Sequence, residues 1–313
     1  MSIVLNTVYY EFKMNVFRHI QMNPLIDKNT LTLLRIPFSF FLMPLFLLAL
    51  SQSKQEILSF NVIVSFCIMH LLVYPSSNGY NSYIDRDQDS IGGLEKPPLP
   101  TIKLFYLTLV MDVLSILLGV FLINILFAAC ILLYILASRA YSSKEIRLKK
   151  YPYIGFLIVF IFQGAFTYYM CYAGITDHVL ELSKPILYLL LATSFQIAGA
   201  YPLTQIYQHQ QDLKEGVVTI SYKLGYIGTF IFSGLMFVIT NVLYFLYFNT
   251  TNKLNQFYVI QIFFLPIVLY YFYWFIKVVK NKNEADFKHT MWMNMIASIC
   301  MSSCFIMLYS INK

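Results

Sequence analysis

Asp85, Asp87, Asp89 and Glu95 crowd into one short stretch, NGYNSYIDRDQDSIGGLEKPPLP, which runs from Asn78 to Pro100. The whole chain holds only 15 acidic residues, and four of them fall in this one segment. If the helix entering it continues, Asn81, Asp85 and Asp89 recur every fourth residue and share one slowly drifting face. Hard oxygen donors at the end of an apolar run suit Mg²⁺ held against a phosphorylated partner. That ion takes one or two carboxylates and leaves its other positions to phosphate oxygens. A solvated acidic loop that merely ends a transmembrane helix is the other reading of the same residues.

The elements that must position these groups are membrane helices. A 58% hydrophobic content with 12% charged residues excludes an ordinary soluble domain. Apolar runs of spanning length recur over 31–50, 58–78, 104–122, 125–140, 153–173, 186–206, 227–247, 257–276 and 291–310, with a tight turn near Asn124 between the third and fourth. The expected fold is all-α: one polytopic helical bundle of about nine transmembrane helices over residues 31–313. With the N-terminus inside, all but Lys54, Lys184, Lys253 and Lys313 of the 22 basic residues fall on the inner side. The net charge of +7 therefore reads as topology and contact with anionic lipid, and not as nucleic-acid binding. Trp274 and Trp292 fall near the inner interface, where indoles prefer to sit. Neither a disulfide nor a zinc site is expected, because all five cysteines lie inside predicted spans.

Ahead of the first span, residues 1–30 form a separate segment. Leu5, Tyr9, Phe12, Val16 and Ile20 recur there at helical spacing, which predicts an amphipathic helix on the inner leaflet. Arg35, beside Pro37, either snorkels to lipid phosphate or points into the bundle at an anion. Asp112 lies well inside the third span, as a functional carboxylate or as a buried hydrogen-bonding residue. Arg139, Lys144, Arg147, Lys149 and Lys150 follow the fourth span, as a topology signal or as anion donors opposite the acidic row.

An internal repeat appears on shifting the chain by 127 residues: Tyr74-Pro75 falls on Tyr201-Pro202, Tyr80 on Tyr207 and Asp85 on Asp212. The amides Asn78 and Asn81 fall on the amides Gln205 and Gln208. Duplicated halves often hold a binding site between them, which gives Gln208 and Asp212 the standing of Asn81 and Asp85. His209 lies about 100° from Gln208 around a helix and reads as peripheral.

These motifs, in this order, resemble the UbiA superfamily of intramembrane prenyltransferases over nearly the whole chain. Asn81-x-x-x-Asp85-x-x-x-Asp89, with Asp87, is similar to its first Asp-rich motif. Lys96-Pro97-Pro98-Leu99-Pro100 resembles the KPxLP that follows. Arg139-x-Tyr141-Ser142 and Arg147-Leu148-Lys149 are similar to a segment of the phytyl and chlorophyll-synthase branch. Asp212-x-x-x-Gly216-x-x-Thr219 resembles the end of the second motif, with Gln208 standing where relatives carry Asp.

The resemblance implies transfer of an isoprenyl group from an allylic diphosphate to a hydrophobic aromatic acceptor (a phenolic or quinone-precursor ring) or to a lipid-like one. It implies Mg²⁺ on Asp85, Asp89 and Asp212, with Arg139 and Tyr141 also catalytic. Asn81, Arg86, Arg139, Ser142, Arg147, Lys149 and Gln208 would meet the diphosphate. The expected setting is a bacterial cytoplasmic membrane with the site facing the cytoplasm, in contact with lipid and without an obligate protein partner. A secondary transporter or a non-catalytic lipid-binding protein is the rival, but its acids would sit near the midplane, where only Asp112 fits.

Overall fold

The computed structural model describes residues 27–214 and 216–313, and within them nine helices are long and apolar enough to cross a membrane. They are α1 (Lys28–Ser51), α2 (Phe60–Asp85), α3 (Ile102–Ile123), α4 (Ile125–Ser142), α5 (Pro152–Thr176), α6 (Lys184–Lys214), α7 (Ile220–Thr250), α8 (Leu254–Lys280) and α9 (Phe287–Asn312). The expected amphipathic helix within residues 1–30 lies outside the described residues. All five cysteines are free.

Polar residues set the helix starts. The Asp27 side chain accepts from the Thr30 amide at 2.7 Å, and this bond holds its carboxyl below the ordinary carboxylate value. Asn124 accepts from the Phe127 amide at 2.6 Å, turning the chain between α3 and α4 where a tight turn is expected. Asp286 caps α9 through the His289 amide at 2.7 Å. Successive helices pack as neighbours, and α9 returns against α1 to close the ring.

Three spans contain a π-helical segment: Ile68–Val73 in α2, Gly119–Ile123 in α3 and Phe160–Ala165 in α5. The first directly precedes Tyr74-Pro75. Because proline lacks the amide proton that an α-helical turn requires, the wider turn there relieves the ladder.

The core divides among three clusters, the smallest joining Leu33 and Leu34 of α1 to Leu104 and Met111 of α3. Another gathers Phe46, Phe127, Tyr168, Tyr244 and Phe305 from five helices. The third joins Leu203, Phe230, Tyr271 and Trp274 across α6, α7 and α8. Trp274 is fully buried, its indole N–H donating to Glu284 O at 2.8 Å in the α8–α9 loop, whereas Trp292 is exposed on the surface of α9.

An odd number of spans separates Lys28 from Lys313. At the far end Lys313 bonds Glu56 Oε1 at 2.7 Å, in the loop between α1 and α2. Combined with the charge asymmetry, this predicts Lys313 outside and the segments 79–103 and 207–226 inside. A reporter active only in the cytoplasm, fused after Lys313, should stay silent; a bright fusion would overturn this orientation.

Candidate functional site

A cavity of about 340 Å³ opens between the helices at the end where α2 and α6 finish. The repeat is written on its walls. Tyr74 and Tyr201, Asn78 and Gln205, Asn81 and Gln208, and Asp85 and Asp212 all line it. Two segments that look duplicated in sequence thus face one shared chamber, and each contributes its carboxylate to the same end.

Asp85 is the centre of charge. Its side chain is only 3% exposed, is ion-paired with Lys149, and lies 3.7 Å from the Arg147 guanidinium. Its Oδ1 is buried without a hydrogen-bond partner. Asn81 Oδ1 accepts from Ser142 Oγ at 2.8 Å and from Lys149 Nζ at 3.5 Å, joining α2 to the start of the α4–α5 loop. Gly155 makes this loop possible. A Cβ there would sit 3.1 Å from Lys149 Cα and 3.3 Å from Leu148 O, so its absence lets α5 begin directly beneath Lys149.

Arg35 also reaches the chamber, which decides between its two readings. It is 8% exposed, sits at φ 50° where α1 breaks, and donates to Asn78 O at 3.0 Å and Gly92 O at 3.2 Å. Its Nε is buried without a partner. Gly92 can approach because a Cβ would stand 2.6 Å from the Phe38 ring. An arginine beside a proline inside an apolar run was the signal that could have put Arg35 among the site residues.

Several expected site residues are elsewhere. The helix does not continue past Asp85: Arg86 adopts φ 54° and ends it, so Asp89 leaves the face shared by Asn81 and Asp85. Asp89 is exposed and off the cavity wall, whereas Asp87 lines it. Arg86 lies over the Tyr83 ring, outside the chamber. Arg139 turns away as well. It is ion-paired with Asp112, donates to Ser76 Oγ at 3.3 Å and Thr108 Oγ1 at 3.4 Å, and covers the Tyr80 ring at 3.9 Å. Asp112 is therefore a buried structural partner and does not face the chamber. His209 bonds Ser221 Oγ at 2.8 Å, off the cavity as expected.

Tyr141 does line the chamber. Its hydroxyl meets that of Tyr201, which in turn accepts from Gln205 Nε2 at 2.8 Å. Gln205 Oε1 is buried without a partner.

The two ends of the repeat also touch directly. Gln208 Nε2 donates to Ser90 O at 3.2 Å, and Gln211 Nε2 donates to Asp87. An aspartate at 208 could not make the first bond, because a carboxylate has no proton to donate. Gln208→Asp should therefore release the segment 86–95 by about 1–3 kcal/mol. Hydrogen exchange of that segment should quicken several-fold, and an unchanged rate would show that the amide does not hold it.

Among the described residues no three His, Cys, Asp or Glu side chains converge on one point, so the expected triad of Asp85, Asp89 and Asp212 is not assembled. The donor set still fits Mg²⁺ shared with a phosphate. One or two carboxylates suffice for that ion, and Asp85, whose Oδ1 accepts no hydrogen bond, lines the same chamber as Asp87 and Asp212.

The model of the UbiA prenyltransferase family matches residues 41–296. A structure of digeranylgeranylglyceryl phosphate synthase is similar at 19% identity, with a TM-score of 0.58, covering 90% of this chain and 98% of that one. A UbiA homologue from Archaeoglobus fulgidus bound to GPP and Mg²⁺ is similar at 17% identity and a TM-score of 0.64, covering 90% of this chain and all of that one. The same homologue bound to DMAPP and Mg²⁺ gives 17%, 0.64 and 91% of this chain. At such identities the likeness shows the fold. No curated protein matches the chain.

Proposed function

Because the chain belongs to the UbiA prenyltransferase family, we propose that it moves an isoprenyl group from an allylic diphosphate to a phenolic, quinone-precursor or lipid-like acceptor inside this chamber. The observation that carries the reading is that Asp85 and Asp212 line one cavity together with Arg35 and Lys149, while Phe38, Phe41, Ile158, Val159 and Phe162 give the same cavity an apolar wall. The same homologue from Archaeoglobus fulgidus is seen with GPP and Mg²⁺ and with DMAPP and Mg²⁺, which supports the same donor class here.

In the transfer, the bond from the allylic carbon to the diphosphate oxygen breaks with its electron pair staying on oxygen. The acceptor's nucleophilic atom bonds the carbon and gives up a proton. Mg²⁺, held by Asp85 with Asp212 or Asp87, would neutralise the departing diphosphate as a Lewis acid. Lys149, Arg147 and Arg35 supply fixed positive charge at that end of the chamber, where the leaving group gains negative charge. Phe38, Phe41 and Phe162 wall the region beyond, where aromatic faces favour an allylic cation and exclude water. Tyr141 and Tyr201 form a hydroxyl chain that can relay the acceptor's proton, which ends on the departing diphosphate. The ion-coupling reading loses its best residue, since Asp112 is neutralised by Arg139 away from the chamber.

Purified protein incubated with a panel of allylic diphosphates and phenolic acceptors, read by mass spectrometry, should yield a prenylated product. EDTA should stop the reaction and added Mg²⁺ restore it. Full activity in the chelated sample would remove this mechanism.

A further inference from the structure

A second chamber lies beside the first among the described residues. The second has a volume of about 430 Å³ and lies wholly among α6, α7, α8 and α9. Both volumes fall in the range of small-molecule sites. No charged residue lines the second chamber, so it suits hydrocarbon and offers nothing to a diphosphate. Its walls run from Gly234 to Val242 on α7 and from Met293 to Met301 on α9, about 12 Å of depth at 1.5 Å per residue.

Three features say what belongs in it. Ala200 and Asn294 line both chambers, so the two meet at that point. Val238 and Phe272 line the second chamber while remaining 62% and 53% exposed on the lipid-facing side of α7 and α8. The chamber thus has a bilayer side as well as a reaction side. The Asn294 side chain, at the junction, makes no hydrogen bond among the described residues, unlike that of Asn241, which is tied to Gln261 at 2.8 Å. An amide left open between a dry chamber and a polar one matches a ligand with a long apolar chain and one polar end.

Resting on the prenyltransferase reading, we propose that the second chamber holds the hydrocarbon chain of the acceptor, with the acceptor's polar, nucleophilic end at Asn294. The acceptor is then a single-chain amphiphile that enters from the bilayer between α7 and α8. The donor's chain stays in the first chamber against Phe38 and Phe162, so the two apolar chains approach the reacting carbon from different sides.

The test uses the full chain in nanodiscs with two photoreactive probes, an alkylphenol carrying a diazirine in its chain and an allylic diphosphate carrying one in its isoprenoid tail. The alkylphenol should label Phe237, Phe264 or Ile267, and the diphosphate should label α1 and α5. Ala297→Phe fills the second chamber, and Val268→Trp plugs its lipid-facing rim in case the first variant folds poorly. Either should cut alkylphenol labelling about tenfold, the equivalent of losing the burial of about two methylenes, and leave diphosphate labelling unchanged. Alkylphenol labelling that persists in both variants, or diphosphate labelling inside the second chamber, would overturn the proposal. Mg²⁺-dependent release of diphosphate from the donor alone, measured in parallel, reports on the donor chemistry separately. Its absence would count against the proposed function and not against the chamber.

Discussion

Asp85→Asn should lower turnover about a hundred- to a thousandfold, the usual consequence of removing one preorganised electrostatic partner from a reacting charge. Two effects act together. The change takes a formal charge from the wall where Mg²⁺ would sit, and it leaves Lys149 and Arg147 facing one another without their shared acid. Because asparagine keeps the shape, the variant should remain folded and inserted, which a melting curve in detergent can verify. Mg²⁺ affinity measured directly, by calorimetry with a non-reacting diphosphate analogue, should fall as well. Asp89→Asn is the informative companion. The described conformation leaves Asp89 exposed and off the wall, so its loss should be the smaller. An equal loss would mean that the segment after Arg86 closes onto the chamber when the diphosphate binds.

Asp112→Ala should destabilise the protein by about 3 kcal/mol, because it strands the Arg139 guanidinium among α2, α3 and α4 with its counter-charge gone. The figure is taken at the low end since the two side chains keep 11% and 17% exposure. Removing both charges, as in Asp112→Leu with Arg139→Met, should recover most of the melting temperature, since a matched apolar pair replaces a matched ionic one. Activity separates two roles for Arg139. If it only holds α4 so that Ser138, Tyr141 and Ser142 face the chamber, the double variant regains turnover. If its charge acts on the diphosphate, as the family resemblance implies, the double variant stays inactive while folding well.

Arg139 also shows where sequence reasoning stops. Its helix and its span are legible, because hydropathy imposes both. Its direction is not, since a rotation of α4 by less than half a turn decides between the chamber and Asp112. The same limit applies to the acidic row. A repeat of four predicts a common face only while the helix lasts, and Arg86 stops it by adopting a left-handed conformation that no local composition announces. The repeat fared better. It matched Asp85 with Asp212 and Asn81 with Gln208 by residue type alone, and all four line one cavity. Arg35 carried a readable signal, a charge inside an apolar run, but nothing in the chain says that its partners are the carbonyls of Asn78 and Gly92.

The π-helical segment Ile68–Val73 has a consequence for how this site tolerates insertions and deletions. A π turn accommodates about one residue more than an α turn. Each residue in an α-helix advances the phase by about 100°. Deleting one residue from this segment would therefore turn the wide turn into an α turn, and Asn78, Asn81 and Asp85 would keep their facing toward the chamber. The same deletion placed in the α-helical turn after it, between Tyr74 and Asn78, has no extra residue to absorb it and would rotate Asn81 and Asp85 by about 100° off the chamber together, although neither had been altered. The site should thus tolerate a single-codon deletion within Ile68–Val73 far better than one a few residues closer to Asp85.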